Sequence, residues 1–262
     1  MSVTPADLML RRYAAQGLAT EAGRIALGYF SRQESLGVTM KGAQDWLTVA
    51  DGAVEDFLRA RLTELFPGDT VIGEEGGGEA SDAVWILDPI DGTANFAHGD
   101  RTWCISVGFL VNREPTIGIV AAPALDELYV AQRGQGVTLN GQKIAVSGVD
   151  DIGRAYVELG WSPRVPSQHY VDMIGRVYAA GGAMKRSGSG ALGLCHVANA
   201  RTDAYAELHI NAWDIAAGVV IAREAGGWVS DFFAGDGISK GNPILCCTPA
   251  LASQLSEITG IS

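Results

Sequence analysis

The hydrophobic pattern of the N-terminal part of the chain is that of two helices separated by a loop. Apolar side chains recur at helical spacing over residues 7–29, where Leu10, Leu18 and Ile25 fall near one stripe. A second helical run covers residues 54–65 and stops at Phe66-Pro67. The glycine- and lysine-containing residues 37–44 between them predict a flexible loop.

Strand-like apolar runs follow the second helix. They cover residues 70–73, 83–87, 104–111, 116–121, 127–131 and 136–146. The last run contains Asn140-Gly141, a strong signal for a two-residue hairpin turn. Because no helical pattern separates these runs, we expect an antiparallel sheet in this half of the chain.

The rhythm changes after about residue 147, where strand and helix patterns alternate. Strand-like segments at 154–160, 184–187, 204–208 and 244–247 alternate with helical segments at 166–180, 190–200 and 213–225, and a short helix ends the chain. Such alternation is typical of an α/β unit. The sequence therefore predicts an α+β half over residues 1–146 and an α/β half over residues 147–262.

The acidic balance of the chain limits its partners. The net charge is −11. A surface of this sign lacks the cations that displace counterions from nucleic acids, so no nucleic-acid partner is expected. It would also repel a small anionic substrate unless bound cations reversed the charge locally.

The cysteines and the apolar runs bear on the compartment. The four cysteines form no CxxC pair, and Cys246 and Cys247 would point to opposite faces of a strand. We expect buried thiols rather than zinc ligands or disulfides. No run has the length of a signal-peptide core or a membrane span, which predicts a cytoplasmic protein without a membrane partner.

Candidate chemistry lies where an apolar strand runs into two carboxylates. Residues 85–96 read WILDPIDGTANF, with Pro89 between Asp88 and Asp91. Proline biases the residue before it away from the helical region, so both carboxylates and the Ile90 carbonyl can converge on one point. Hard divalent cations prefer such oxygen ligands.

An anion site adjoins this cation site. Gly92 and Thr93 follow at once and predict the start of a short helix, where exposed N–H groups bind phosphate. An isolated motif of this kind would be a solvated turn, but the apolar strand before it argues against that interpretation. His98 is expected to support the loop rather than to bind metal.

Three further acidic positions are ambiguous when each is taken alone. Glu74-Glu75 follows a short strand and could be a solvent-facing loop pair. Asp51 stands near a helix start, where a capping role would explain it. Asp214 falls in the first turn of a predicted helix, where the macrodipole favours an acid.

Together these segments resemble the inositol monophosphatase family, a group of lithium-sensitive, metal-dependent phosphatases with bacterial inositol-1-monophosphatases among them. The resemblance is carried by DPIDGTANF at residues 88–96, GEE at 73–75 and WDIAAG followed by EAGG within 213–227. Order and spacing match over roughly residues 40–230. The resemblance implies a layered αβαβα sandwich of the α+β / α/β class, a homodimer, and a mobile loop that carries Lys41.

The resemblance also implies roles for individual residues, with two to three Mg²⁺ ions per site. The implied metal ligands are Glu74, Asp88, the Ile90 carbonyl, Asp91 and Asp214. The implied catalytic residues, which would help a metal-activated water attack the phosphate, are Thr93, Asp51 and Glu74. The implied substrate contacts are Asp91, Gly92, Thr93, Gly188, Ser189, Gly190, Glu207 and Asp214.

The implied substrate is a small polyol phosphate, with myo-inositol 1-phosphate first. Glu207 resembles the glutamate that meets inositol hydroxyls, although a strand-edge surface acid is an alternative interpretation. Ser189, Gly190 and Ala94 depart from the commoner family residues and blur specificity. Histidinol phosphate is the main alternative substrate, followed by 3′-phosphoadenosine 5′-phosphate and fructose 1,6-bisphosphate. A non-catalytic regulator or scaffold that retains the fold is the alternative of a different class.

Overall fold

The structure is a computed structural model that describes residues 3–32, 37–42 and 45–262, without the side chains of residues 41–46. Its helices are α1 (Pro5–Phe30), α2 (Val49–Leu65), α3 (Thr93–Ala97), α4 (Ser167–Ala179), α5 (Gly190–Ala198), α6 (Ala212–Glu224), α7 (Gly237–Lys240) and α8 (Ala252–Thr259). Its strands are β1 (Thr39–Gly42), β2 (Asp45–Leu47), β3 (Thr70–Gly73), β4 (Ala83–Asp91), β5 (Cys104–Val111), β6 (Glu114–Ala122), β7 (Glu127–Gln132), β8 (Gly136–Leu139), β9 (Gln142–Lys143), β10 (Tyr156–Leu159), β11 (Ala183–Lys185), β12 (Ala204–Ile210), β13 (Trp228–Val229) and β14 (Asn242–Cys247).

The N-terminal segment differs from the sequence prediction in two places. Residues 39–42 form β1, which pairs antiparallel with β2, so the prediction of a loop throughout 37–44 is wrong. Helix α2 begins at Val49, five residues earlier than expected, because Thr48 caps it and Asp51 closes the capping box. Asp51 is thus the third helical residue rather than the cap itself.

The first sheet has seven strands in the order β3-β4-β5-β6-β7-β8-β9. All its neighbours are antiparallel except β3 and β4, which are parallel, so the antiparallel prediction fails at this edge. The β8–β9 hairpin turns at Asn140 and Gly141, both with positive φ, which confirms the predicted turn.

The second sheet has five strands in the order β11-β10-β12-β14-β13. Strands β11, β10 and β12 are parallel, and β14 is antiparallel to both of its neighbours. Cys246 and Cys247 of β14 are buried in separate clusters, as expected for opposite faces of a strand. All four cysteines are buried free thiols.

The hydrophobic clusters place the two sheets between three layers of helices. Helices α1 and α2 pack on the outer face of the first sheet, and α4 and α8 pack on the outer face of the second. Helices α5 and α6 lie between the sheets. The layered αβαβα prediction is confirmed.

Glycines let α6 lie directly on the first sheet. A Cβ at Gly118 would stand 2.2 Å from the Ala217 carbonyl oxygen, and one at Gly108 would stand 2.7 Å from Ala216 Cβ. Any larger residue would push the helix outward. No helix in the described part of the chain combines the length and apolarity needed to cross a bilayer.

Candidate active site

The central carboxylates lie where β4 loses its regular pairing with β5. The register shifts between Asp88 and Asp91, and Pro89 between them has no N–H group to donate to the neighbouring strand. Asp88 accepts a hydrogen bond from the Ile90 backbone N–H at 3.0 Å. The irregularity keeps both buried carboxylates near the strand end.

Asp91 connects the first sheet to α5. Its carboxylate accepts from Ser189 Oγ at 2.5 Å, from the backbone N–H of Gly190 at 3.1 Å and from that of Ala191 at 2.7 Å. Cys104 Sγ donates from 3.6 Å. These donors favour the charged form, but burial outweighs them and raises the pKa of Asp91.

Asp214 comes from the first turn of α6. It accepts from the Asn211 backbone N–H at 2.9 Å and closes a capping box there. Burial, followed by the charges of Asp91 and Glu207, raises its pKa to about 8. The acid that caps the helix therefore also faces the other carboxylates.

Asp88, Asp91 and Asp214 each contribute one carboxylate oxygen to a group in which these three atoms lie within 4.8 Å of one another. Burial raises the pKa of Asp88 well above its usual range, and the charges of Glu74, Asp91 and Asp214 add to this effect. Three such carboxylates repel one another unless a cation or protons balance them. Their all-oxygen chemistry fits Mg²⁺.

Thr93 and Asp51 meet beside this group. Thr93 Oγ donates to the Ile90 carbonyl at 2.9 Å and lies 3.3 Å from Asp51 Oδ1. The other oxygen of Asp51 accepts from the backbone N–H of Thr48 at 2.8 Å and from its hydroxyl at 2.6 Å. Burial raises the pKa of Asp51 to about 6. The Ile90 carbonyl thus serves Thr93 here, and its role as a metal ligand stays a prediction.

A cavity of about 300 Å³ opens beside these residues. Among the predicted site residues, its walls contain Glu74, Asp91, Gly92, Thr93, Gly188, Ser189, Gly190, Glu207 and Asp214. Gly92 has a φ of 96°, and a Cβ there would stand 2.9 Å from the Thr102 carbonyl oxygen. Glycine is therefore required at the start of α3.

Glu207 is buried at this cavity, so the interpretation as a strand-edge surface acid is wrong. It accepts a hydrogen bond from the Tyr205 hydroxyl at 2.5 Å. Burial raises its pKa to about 7 despite that bond and the nearby charges of Arg186 and Arg164. Glu207 is thus placed to contact a molecule in the cavity.

Several cavity residues were missed by the sequence analysis. Trp161, Arg164, Arg186 and His209 all line the cavity. Arg186 stands two residues before the predicted 188–190 segment, and that closeness was an available signal. The other three come from a loop and a strand end whose positions only the fold defines.

Two predicted loop residues have different outcomes. The backbone of Lys41 lies in β1, and its side chain falls outside the described residues. His98 Nδ1 lies 2.7 Å from the Ala94 carbonyl oxygen, in keeping with support of its own loop.

The protein is thus a five-layer α/β sandwich, with three grouped carboxylates that could hold a cation beside a cavity. The sequence profile of the inositol monophosphatase family matches residues 8–259, and the chain belongs to this family of metal-dependent phosphatases.

Relatives in this family carry two kinds of name. The chain is 36% identical to an inositol-1-monophosphatase of Mesorhizobium japonicum, covering 83% of this chain and 84% of the relative. It is also 36% identical to the Nus factor SuhB of Xylella fastidiosa, covering 83% and 80%.

Solved structures agree with the family assignment. The fold matches the extragenic suppressor protein SuhB of Bartonella henselae with a TM-score of 0.86, at 29% identity over 97% of both chains. It matches the inositol monophosphatase of Anabaena with a TM-score of 0.84, at 29% identity over 98% of both chains.

Proposed function

We propose that this protein is a Mg²⁺-dependent phosphomonoesterase that hydrolyses a small polyol phosphate, first of all myo-inositol 1-phosphate to inositol and phosphate. The observation that carries the proposal is the group formed by Asp88, Asp91 and Asp214 within 4.8 Å at the edge of a cavity. Residues 1–146 supply two of these acids and residues 147–262 supply the third.

Two or three Mg²⁺ ions would be held by the three grouped carboxylates together with Glu74 and the Ile90 carbonyl. When bound, Mg²⁺ neutralises phosphoryl oxygens and lowers the pKa of water. It also reverses the local charge of an acidic protein, so that an anionic substrate can enter the cavity.

Thr93 and Asp51 would handle the proton of the attacking water. Asp51 lies 3.3 Å from Thr93 Oγ, and its pKa of about 6 suits a group that exchanges a proton near neutrality. Thr93 passes its hydroxyl proton to Asp51 as it takes one from water. The water oxygen bonds to phosphorus, the bond to the polyol oxygen breaks, and that oxygen takes a proton from solvent.

The polyol would be recognised at Glu207, whose carboxylate can accept hydrogen bonds from hydroxyl groups. Glu207 would also pair with the ammonium group of histidinol phosphate, which supports that compound as second candidate. The positive charges of Arg164 and Arg186 act on the same carboxylate and disfavour a cationic leaving group. Because these arginines disfavour a cationic leaving group, 3′-phosphoadenosine 5′-phosphate and fructose 1,6-bisphosphate stay as further candidates.

A phosphate-release panel tests the proposal. Purified protein in millimolar Mg²⁺ is assayed with inositol 1-phosphate, histidinol phosphate, fructose 1,6-bisphosphate and 3′-phosphoadenosine 5′-phosphate. We expect turnover that is lost in Asp88→Asn and in Asp214→Asn, with circular dichroism unchanged. Asp236→Asn, which changes an exposed carboxylate paired with Lys240, is the matched control and keeps full activity.

Two outcomes would contradict the proposal. Near-wild-type turnover in Asp88→Asn or Asp214→Asn would remove the metal site from the mechanism. Release from no compound would favour a non-catalytic regulator or scaffold, the candidate function of a different class, in keeping with relatives that carry the name Nus factor SuhB.

A further inference from the structure

The turn that carries Glu74 is built around a buried carboxylate from α2. Glu55 is 3% exposed, and its two oxygens accept from the backbone N–H groups of Glu75 at 2.8 Å and of Gly76 at 2.7 Å. Consecutive N–H groups aimed at one carboxylate form an anion-binding nest of backbone dipoles. Glu55 therefore fixes the backbone immediately after Glu74.

Arg59 completes this support one helical turn further along α2. It pairs with Glu55 at 2.7 Å and donates to the carbonyl oxygens of Val71 at 3.1 Å and Gly77 at 3.0 Å. The pair thereby contacts both strand β3 and the far side of the turn. Charge-assisted hydrogen bonds of this kind are about twice as strong as neutral ones.

Gly73 and Gly76, on either side of Glu74-Glu75, are explained by the same contact with Glu55. A Cβ at Gly73 would stand 2.4 Å from the Glu55 carboxyl carbon, and one at Gly76 would stand 2.7 Å from Glu55 Oε1. Gly78 has a φ of 140°, and a Cβ there would stand 2.2 Å from the Val71 carbonyl oxygen. Within GEEGGG at residues 73–78, Gly73 and Gly76 thus let the backbone pass close to the Glu55 carboxylate, and Gly78 lets it pass close to β3.

We propose that Glu55 is a positioning residue that holds Glu74 in place for cation binding at the cavity. This inference rests on the proposed metal-dependent function. Asp91 and Asp214 are fixed by the ends of α5 and α6. Glu74 stands instead in the connection after β3, where its backbone N–H donates to the Leu87 carbonyl at 3.2 Å, and Glu55 adds the side-chain support from α2. Glu74 lines the same cavity as Asp91 and Asp214, and its charge is one of the causes that raise the pKa of Asp88.

The test measures Mg²⁺ binding by titration calorimetry, independently of turnover. Glu55→Gln keeps the shape of the side chain but turns an NH₂ group toward one of the two backbone donors. We expect the Mg²⁺ dissociation constant to rise about tenfold, in the range found for residues that support metal ligands. Glu74→Gln is expected to raise it at least as much.

The chain offers a closely matched control in Glu224. Its carboxylate accepts from the backbone N–H groups of Gly134 at 2.8 Å and Gly136 at 2.7 Å, in the β7–β8 turn outside the cavity. Glu224→Gln is expected to lower the melting temperature in EDTA, as Glu55→Gln does, and to leave Mg²⁺ affinity unchanged. A generic loss of stability would weaken Mg²⁺ binding in both variants.

Two further variants keep the inference testable if Glu55→Gln folds poorly. In Gly76→Ala, the atoms nearest to the new methyl group belong to the flexible ends of Glu55 and Arg59, so we expect the fold to be retained while the carboxylate is displaced. It should weaken Mg²⁺ binding in the same direction. The double variant Glu55→Gln/Glu74→Gln should bind no more weakly than Glu74→Gln alone, because both changes act through one ligand.

Mg²⁺ affinity within twofold of wild type in both Glu55→Gln and Gly76→Ala would overturn the inference, and so would additive effects in the double variant. Wild-type protein that binds no Mg²⁺ would overturn the inference together with the metal site. Wild-type protein that binds Mg²⁺ but releases no phosphate would contradict the proposed function alone.

Discussion

Gly193 of α5 faces the ring of Tyr205, and enlarging it to alanine should disturb both the core and the cavity. An alanine Cβ would stand 2.3 Å from Tyr205 Cδ2 and 2.5 Å from Cε2. Carbon atoms in ordinary contact are about 3.5–4.0 Å apart, so the ring must move by more than about 1 Å. The ring is buried, and its hydroxyl is bonded to Glu207, so the displacement reaches the cavity.

The sign of the effect follows from two opposing magnitudes. Alanine in place of a helical glycine stabilises by about 1 kcal/mol, whereas overpacking a core costs about 1–3 kcal/mol. A clash this close belongs near the upper end of that range, so Gly193→Ala should lose about 2 kcal/mol. Gly17 lies in α1 with open space around it, and Gly17→Ala should gain about 0.5–1 kcal/mol.

Urea unfolding of the two variants measures both free energies. At roughly 2–4 °C per kcal/mol, their melting temperatures should differ by about 5 °C or more, with Gly17→Ala the higher. Gly193→Ala should also raise KM for inositol 1-phosphate through Glu207. The reasoning is refuted if Gly193→Ala is as stable as Gly17→Ala.

Three further predictions follow from the site and the core. In the folded protein the pKa of Asp214 is raised to about 8. Its contribution to the free energy of unfolding is therefore complete below about pH 4 and is lost as the pH rises through about 8. In EDTA, the melting temperature should be lower at pH 8.5 than at pH 6. Excess Mg²⁺ should remove that difference, and an unchanged melting temperature between these pH values would contradict the titration. Glu207→Gln should raise KM for a polyol phosphate about tenfold with little change in kcat, and an equal loss in both parameters would contradict a recognition role. Arg11→Ala should destabilise by about 3 kcal/mol in urea unfolding, because the buried Asp69 carboxylate, bonded to Arg11 at 2.8 Å, loses its cationic partner and keeps the Trp85 indole N–H at 3.0 Å. A loss below about 1 kcal/mol would contradict this.

Much of the fold was predictable where local pattern and long-range packing agree. The apolar run before Asp88 and the Asn140-Gly141 turn each specify their structure within a few residues. The parallel pairing of β3 with β4 was not predictable, because parallel neighbours are usually joined through a helix, whereas residues 74–82 join these strands without one. The start of α2 was misplaced because Thr48 and Asp51 are both capping residue types.

The site was predictable only as far as motifs reach. The spacing of Asp88 and Asp91 identifies them as candidate ligands in the sequence, whereas Glu55 has the pattern of an ordinary polar residue of an amphipathic helix. Its partners lie twenty and twenty-one residues further along the chain. Arg164 and Trp161 likewise have no local signature, since only the meeting of the two sheets brings them to the cavity.

The bonds that Asp91 accepts from α5 have a consequence for how the molecule opens. They join the last residue of a strand in one sheet to the first turn of a helix that serves the other sheet. A fluctuation that separates the two sheets must therefore break the hydrogen bonds to Asp91 before it exposes much of the core. Hydrogen exchange at the amide of Ala191 would measure this opening. A cation bound between the sheets would link them and slow the exchange.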